Sequence, residues 1–346
     1  MSAPFERIQR TIDAGVLSVG ATHLAVDVFI PTGVSLREPA IAFFCVPGGG
    51  LNRRYFDLPV SRGIPSGRRF PSGACPPVDD DVSFSFAQQM ASRGMITIAI
   101  DPLGVGGSSR PEAGFDIVPD VAVAALEPVL HHVSAELRAG TLAPSRLHAL
   151  PKLLCVGVGH SLGGMLITMQ QAQFHSYDAV VLFGFGPVGM SEVLSEEARA
   201  MANDPHAVRT NVVRLARAFH GEPYPEVRSN GRGRDIFGGG ADPEAMKALR
   251  TVQDRLLATV SMFALVPGSS APEAAKIDVP LLLVVGDRDM CGPPHQLPAS
   301  FPGSADVTLL CLPNTGHSHF VFSSTSVLFP RLALWADTVA RTQEIA

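Results

Sequence analysis

At 346 residues, with 46% hydrophobic and 17% charged residues, the chain can bury a large core, as one big α/β domain or two smaller ones. Its formal charge of −5, from 27 Lys and Arg against 32 Asp and Glu, supplies no basic field and excludes nucleic acid as an expected partner. The start, Met1 to Arg7, has no apolar signal region and no run approaches the ~18 apolar residues of a membrane span, so a soluble, cytoplasmic protein is expected.

Short apolar, β-branched runs alternate with helix-length segments, which predicts a mostly parallel sheet with helices on both faces. In chain order the predicted strands are Leu24 to Ile30, Ala40 to Val46, Met95 to Ile100, Leu153 to Val158, Ala179 to Phe183, Val279 to Val285 and Val307 to Leu312. Several are apolar without alternation, as strands buried on both faces require. Predicted helices are Phe84 to Arg93, Asp120 to Arg138 with a kink or break at Pro128, Leu162 to Phe174 with an amphipathic pattern, and Val327 to Arg341. Leu51 to Asp81 is a Pro-, Gly-, Arg- and Ser-rich stretch, far longer than the ~2 to 6 residues of most βα connections. From Val188 to Lys276 the pattern is helical (Glu192 to Asn203, Ala207 to Phe219, Pro243 to Leu257) around a glycine-rich loop, Ser229 to Gly240, and it reads as a lid over the sheet's carboxyl edge. Of the five cysteines, Cys45, Cys155 and Cys311 fall inside predicted buried strands and read as small core residues; the odd total points to a reducing compartment.

The most informative segment is Leu153 to Gly164, an apolar strand running into Gly159-His160-Ser161-Leu162-Gly163 and then a helix. That context turns a common G-x-S-x-G into a candidate nucleophile, Ser161, exposed at the apex of a sharp turn whose glycines admit close backbone approach. A serine hydroxyl needs a base within hydrogen-bond reach and a carboxylate to orient that base. Both stand downstream, in Gly286-Asp287-Arg288-Asp289 after one strand and Gly316-His317-Ser318-His319 after the next. In a parallel sheet the ends of these strands share one edge with Ser161.

This order of serine, acid and histidine resembles the α/β-hydrolase superfamily over roughly Leu24 to Thr338. The family's G-x-x-D, G-H and D-x-x-G-x-G-x-S patterns find matches in Gly286 with Asp289, Gly316 with His317, and Asp101 to Ser108. The resemblance implies an α/β-hydrolase fold: a core over residues 1–187 and 277–346, and a helical cap over 188–276 inserted after the sixth strand. It also implies Ser161, Asp289 and His317 as a catalytic triad in preference to Asp287 and His319. The oxyanion would be held by the amide of Leu162 and by Gly49 or Gly50, in Pro47-Gly48-Gly49-Gly50, where many esterases have His-Gly-Gly-Gly. Arg53, Arg54, Tyr55 and His160 are candidate substrate contacts, although packing suits His160 and solvation suits an arginine pair. An apolar lid underside is expected from Met190, Val193, Leu194, Met201, Val212, Val213, Leu215, Leu256, Met262 and Phe263.

The activity expected is hydrolysis of a carboxylic ester, lactone or related small-molecule acyl substrate through an acyl-enzyme, with no cofactor or metal. Acyl transfer, thioester or amide cleavage and carbon–carbon bond hydrolysis use the same triad. A ligand-binding member without turnover typically lacks a triad residue, and all three are present. Gly184 to Gly189 fits G-x-G-x-x-G, but no strand precedes Asp204 and Pro187 removes an amide that would face a pyrophosphate. Oligomeric state is left open.

Overall fold

The computed structural model describes residues 4–63, 81–227 and 236–345. Seventeen residues of the long 51–81 stretch, including Cys75, and the first part of the glycine-rich loop therefore lie outside the described residues.

Eight strands form the central sheet: β1 (Phe5–Leu17), β2 (Gly20–Pro31), β3 (Ala40–Val46), β4 (Ile96–Ile100), β5 (Leu153–His160), β6 (Ala179–Phe183), β7 (Leu281–Gly286) and β8 (Val307–Leu312). Their spatial order is β1-β2-β4-β3-β5-β6-β7-β8; β2 pairs antiparallel with β1 and β4, and every other pairing is parallel. Side chains along β3 alternate between two cores. Ala42, Phe44 and Val46 meet one face's helices, α2 (Pro119–Ala139) and α3 (Leu162–Phe174). Ile41, Phe43 and Cys45 meet α1 (Phe86–Ala91) and, at the far end of the chain, the helix Thr325–Ile345. Burial on both faces is why these strands read as unbroken apolar runs.

Three expectations are corrected. β1 has no counterpart among the predicted strands. It is an edge strand pairing only with β2, largely exposed and studded with Arg7, Gln9, Arg10 and Asp13, so it lacks the apolar run by which the other strands were identified. Pro128 does not break α2, which continues through it to Gly140. Cys311 is exposed on β8, while Cys291 joins Cys45 and Cys155 as a buried thiol.

Between β6 and β7 the described residues are mainly helical: α4 (Glu196–Ala200), α5 (Pro205–His220), α6 (Pro243–Thr251), α7 (Ala258–Leu265) and α8 (Ala271–Ala274). Asp204 and Asp242 cap α5 and α6 with side-chain oxygens, fixing where each begins. The expected helix from Glu192 to Asn203 is split, and the one from Pro243 stops at Thr251 because Gln253 and Arg255 form isolated bridges to Leu51 and Glu226. Leu194, Val212, Leu215, Met262 and Phe263 are buried in the first core with α2 and α3, whereas Val193 is exposed. Much of the apolar face read as a lid underside therefore packs on the body. α9 is the closing helix Thr325–Ile345. No helix of the described residues is long and apolar enough to cross a membrane.

Candidate active site

Ser161 lies between the last residue of β5 and the first of α3, with φ 52° and ψ −117°, a strained backbone for a residue with a side chain. Its amide donates to the Phe183 carbonyl (2.8 Å), fastening the turn to the end of β6. The flanking glycines permit this. A Cβ on Gly163 would lie 2.5 Å from the Pro47 carbonyl oxygen and closer still to that of Val46, and one on Gly164 would meet Phe185 at 2.7 Å. We predict that Gly163→Ala forces these elements apart and lowers the thermal midpoint by about 5 °C or more; an unchanged midpoint in differential scanning calorimetry would contradict this packing. Contrary to the amphipathic reading, α3 is buried on nearly every side from Leu162 to Gln171, because helices and sheet enclose it.

Gly48 to Leu51 form a turn closed by Leu51 N–H donating to the Gly48 carbonyl (3.1 Å), with Gly50 at φ 77°, the positive value that suits glycine at the third turn position. Gly49 sits against Leu162: a Cβ there would meet the Leu162 side chain at 3.4 Å and Leu256 at 2.6 Å. A Cβ on Gly50 would instead face Val227 and the Asp254 carbonyl. Among the described residues no acceptor takes the amides of Gly49, Gly50 or Leu162. That of Leu162 is one of the helix's first four, which have no intrahelical partner.

At the ends of β7 and β8 the two aspartates separate. Asp287 accepts from the amides of Asn314 (2.8 Å) and Thr315 (3.0 Å), holding the two loops together. Asp289 is almost wholly buried and its Oδ1 lies 2.6 Å from His317 Nδ1. Oδ1 also accepts from the Met290 amide (2.7 Å); Oδ2 has the Gly286 amide at 3.4 Å and His319 Nε2 at 3.0 Å, the latter poorly aligned. Burial pushes the Asp289 carboxyl up. The charges and hydrogen bonds of His317 and His319 outweigh it and hold the group well below the usual carboxylate range. The pair lies close to the serine turn, since a Cβ on Gly184, next to Phe183, would be 2.9 Å from both Asp289 Oδ2 and His317 Nδ1. The Ser161 hydroxyl itself makes no hydrogen bond to a described residue, so the serine and the histidine are neighbours but not bonded here.

His160 and Tyr55 stand behind this group. Tyr55 is fully buried, stacked on His160 (centroids 4.8 Å) and on Phe320 (4.8 Å), so the structure gives it no surface from which to meet a substrate. His160 is likewise buried, and its Nε2 lies 2.8 Å from the His317 carbonyl. Arg54 is exposed, its amide held by Asn52 Oδ1 (3.1 Å). Burial, then the neighbouring His317 and His319, depress the His160 pKa well below its ordinary value. The folded protein thus refuses a proton that the unfolded chain takes up below about pH 6.5, and stability drains away as the pH falls through that point. We expect urea midpoints to fall less steeply on acidification in His160→Asn than in the parent; parallel slopes would contradict a buried neutral His160.

Arg53, expected as a substrate contact or a solvated side chain, is instead tied into the body, and two further contributions escape a reading of the sequence alone. Arg53 bridges two buried carboxylates, Asp27 (3.1 Å) and Asp101, and its amide donates to Asp101 (2.6 Å), anchoring the chain just past the glycine turn to β2 and β4. The D-x-x-G-x-G-x-S stretch closes on itself, with Gly107 N–H on Asp101 (2.9 Å) and Ser108 Oγ on the Asp101 carbonyl (2.7 Å). Ile236 and Phe237 accept from the amides of His317 (2.8 Å) and Ser318 (3.2 Å), and the Phe237 ring stands edge-on to His317 (5.2 Å). The only sequence signal for these was the aspartate that begins the D-x-x-G pattern. Among the described residues no group of three His, Cys, Asp or Glu converges as metal ligands; the three imidazoles face a carbonyl and two carboxylate oxygens.

Solved structures share this architecture. They include E-2-(acetamidomethylene)succinate hydrolase (17% identity, TM-score 0.55, 96% of this chain and 100% of that one). A thermophilic esterase from Thermogutta terrifontis (15%, 0.53, 97% and 99%) and a thioesterase domain from the curacin biosynthetic pathway (14%, 0.54, 94% and 99%) superpose similarly. At such identities the likeness is one of fold. No curated protein sequence matches the chain. A sequence profile described as the alpha/beta hydrolase family does match, over residues 43–326, which hold the serine turn, the glycine turn and the Asp289–His317 pair. The chain belongs to the alpha/beta hydrolase family.

Proposed function

We propose that the protein is a serine hydrolase that cleaves a carboxylic ester, lactone or related acyl substrate through an acyl-enzyme. The observation that carries this reading is the buried Asp289–His317 hydrogen bond of 2.6 Å beside a serine on a strained strand-to-helix turn. Ser161 Oγ attacks the acyl carbon while His317 Nε2 takes its proton. The carbonyl oxygen becomes an oxyanion received by the amides of Leu162 and Gly49; Gly49 is preferred to Gly50 because it is the glycine that lies against Leu162. His317 returns the proton to the leaving group. Water then attacks the ester on Ser161 with the same histidine as base, releasing the acid and the free serine. Asp289, held ionised by its neighbours, keeps the Nδ1 proton of His317 and stabilises the imidazolium. Substrate binding brings the Ser161 hydroxyl and His317 Nε2 into hydrogen-bond contact, since such bonds are often long before the substrate arrives.

The side chains of Leu162 and Leu256 crowd the side-chain position of Gly49, which favours an apolar acyl group, and residues 188–276 act as the cap that carries Leu256. A panel of p-nitrophenyl esters, lactones and thioesters tests the reading. Turnover of at least one acyl class, with covalent labelling by a fluorophosphonate probe, supports it; a folded protein that neither turns over nor is labelled refutes it.

A further inference from the structure

We propose that His319 is a positioning residue for the Asp289 carboxylate, an inference that rests on the serine hydrolase reading above. A buried carboxylate keeps a fixed orientation only if both oxygens are held by donors. Oδ1 has two close ones, His317 Nδ1 at 2.6 Å and the Met290 amide at 2.7 Å. Oδ2 has the Gly286 amide at 3.4 Å and His319 Nε2 at 3.0 Å, with the Cys291 thiol also hydrogen-bonded to this carboxylate. His319 is fully buried, and among the described residues neither of its ring nitrogens has a hydrogen-bond partner, the 3.0 Å approach of Nε2 to Oδ2 being close but poorly aligned. Placing an imidazole there is costly unless it serves the carboxylate. Its backbone serves the same loop, since the His319 amide donates to the His317 carbonyl (3.0 Å), the oxygen that His160 Nε2 approaches from the other side.

Held in this way, Asp289 cannot turn about its side-chain bond, and Oδ1 stays aimed at His317. Part of the carboxylate's charge is also spent on His319 Nε2, so removing that contact leaves more of it facing His317. The other ionisable groups around this contact are His317 on the same loop, His160 at the end of β5, Tyr55 beyond His160, and Cys291 two residues past Asp289. The Phe183 ring at the end of β6 stands 5.8 Å from that of His319, and a Cβ on the next residue, Gly184, would lie 2.9 Å from its Cε1; neither residue titrates.

The test compares His319→Gln, whose amide can still donate to Oδ2, with His319→Met, which fills the space without a donor. H319M is expected to lose about 10- to 100-fold in kcat with little change in KM, as small displacements of a catalytic group do. The acidic limb of its kcat/KM profile should move up by about one pH unit, and H319Q should restore both. Equal losses in the two variants with an unmoved acidic limb, or an H319M enzyme indistinguishable from the parent, would overturn the proposal. A measurement on the unmutated protein covers the case in which H319M does not fold. Nitrogen-15 NMR should show His319 Nε2 protonated; a bare Nε2 facing the carboxylate also overturns it. Parent protein that lacks hydrolysis and probe labelling sinks the triad reading itself, whereas active parent protein with unaffected variants sinks only the role of His319.

Discussion

Ser161→Ala should abolish turnover of whichever ester the parent enzyme accepts, by about 10⁶-fold in kcat, with substrate binding nearly unchanged. The size follows from the roles. Without Oγ there is no covalent intermediate, and the His317–Asp289 pair has nothing to activate; what survives is attack by water beside two oriented amides, a residual of about 10³-fold over solution. Fold should persist. The alanine keeps the amide bonded to the Phe183 carbonyl, and its smaller side chain adds no clash to a backbone already at φ 52°. A variant that still hydrolyses esters at more than about one hundredth of the parent rate would show that another group attacks.

Asp289→Asn is the second large effect. The amide preserves shape and burial but offers Nδ1 of His317 either a donor or a neutral oxygen, so the imidazole loses both the tautomer and the charge it needs; about 10⁴-fold in kcat should go. Asp287→Asn, two residues earlier, should cost no more than a few-fold in kcat and about 1 kcal/mol of stability, because Asp287 accepts the Asn314 and Thr315 amides and does not touch the imidazole. Steady-state kinetics beside chemical denaturation separate the two. Similar kinetic losses at both positions would mean that loop geometry, rather than the orientation of His317, limits the enzyme.

Which features the sequence made legible follows from where each residue sits. β3, β6 and β8 were predicted with the bounds that the structure has, because each is a short apolar run closed by glycine, proline or a turn residue. β1 escaped because an edge strand with charged residues on its open face carries no such run. The G-x-S-x-G turn and the G-D-R-D and G-H-S-H segments stood out since each falls at the end of a parallel strand, where chemistry-bearing residues gather. Sequence spacing could not show that His319 would reach the same carboxylate as His317. An i, i+2 pair in an extended loop faces opposite ways, and here a short 3-10 turn (His319–Val321) brings His319 back. Nor could it show that Asp27, in the middle of an apolar strand, would share Arg53 with Asp101, or that Tyr55 would end up as core; both depend on contacts between distant segments.

In the proposed mechanism Ser161 carries the acyl group as a covalent ester. Rapid acid quenching during turnover of a slowly deacylating p-nitrophenyl ester, followed by peptide mass spectrometry, measures this directly. A burst of about one p-nitrophenolate per chain is expected, with the acyl mass on the peptide containing Ser161 and absent in Ser161→Ala. Turnover with no acyl adduct, or an adduct on a different side chain, would contradict it.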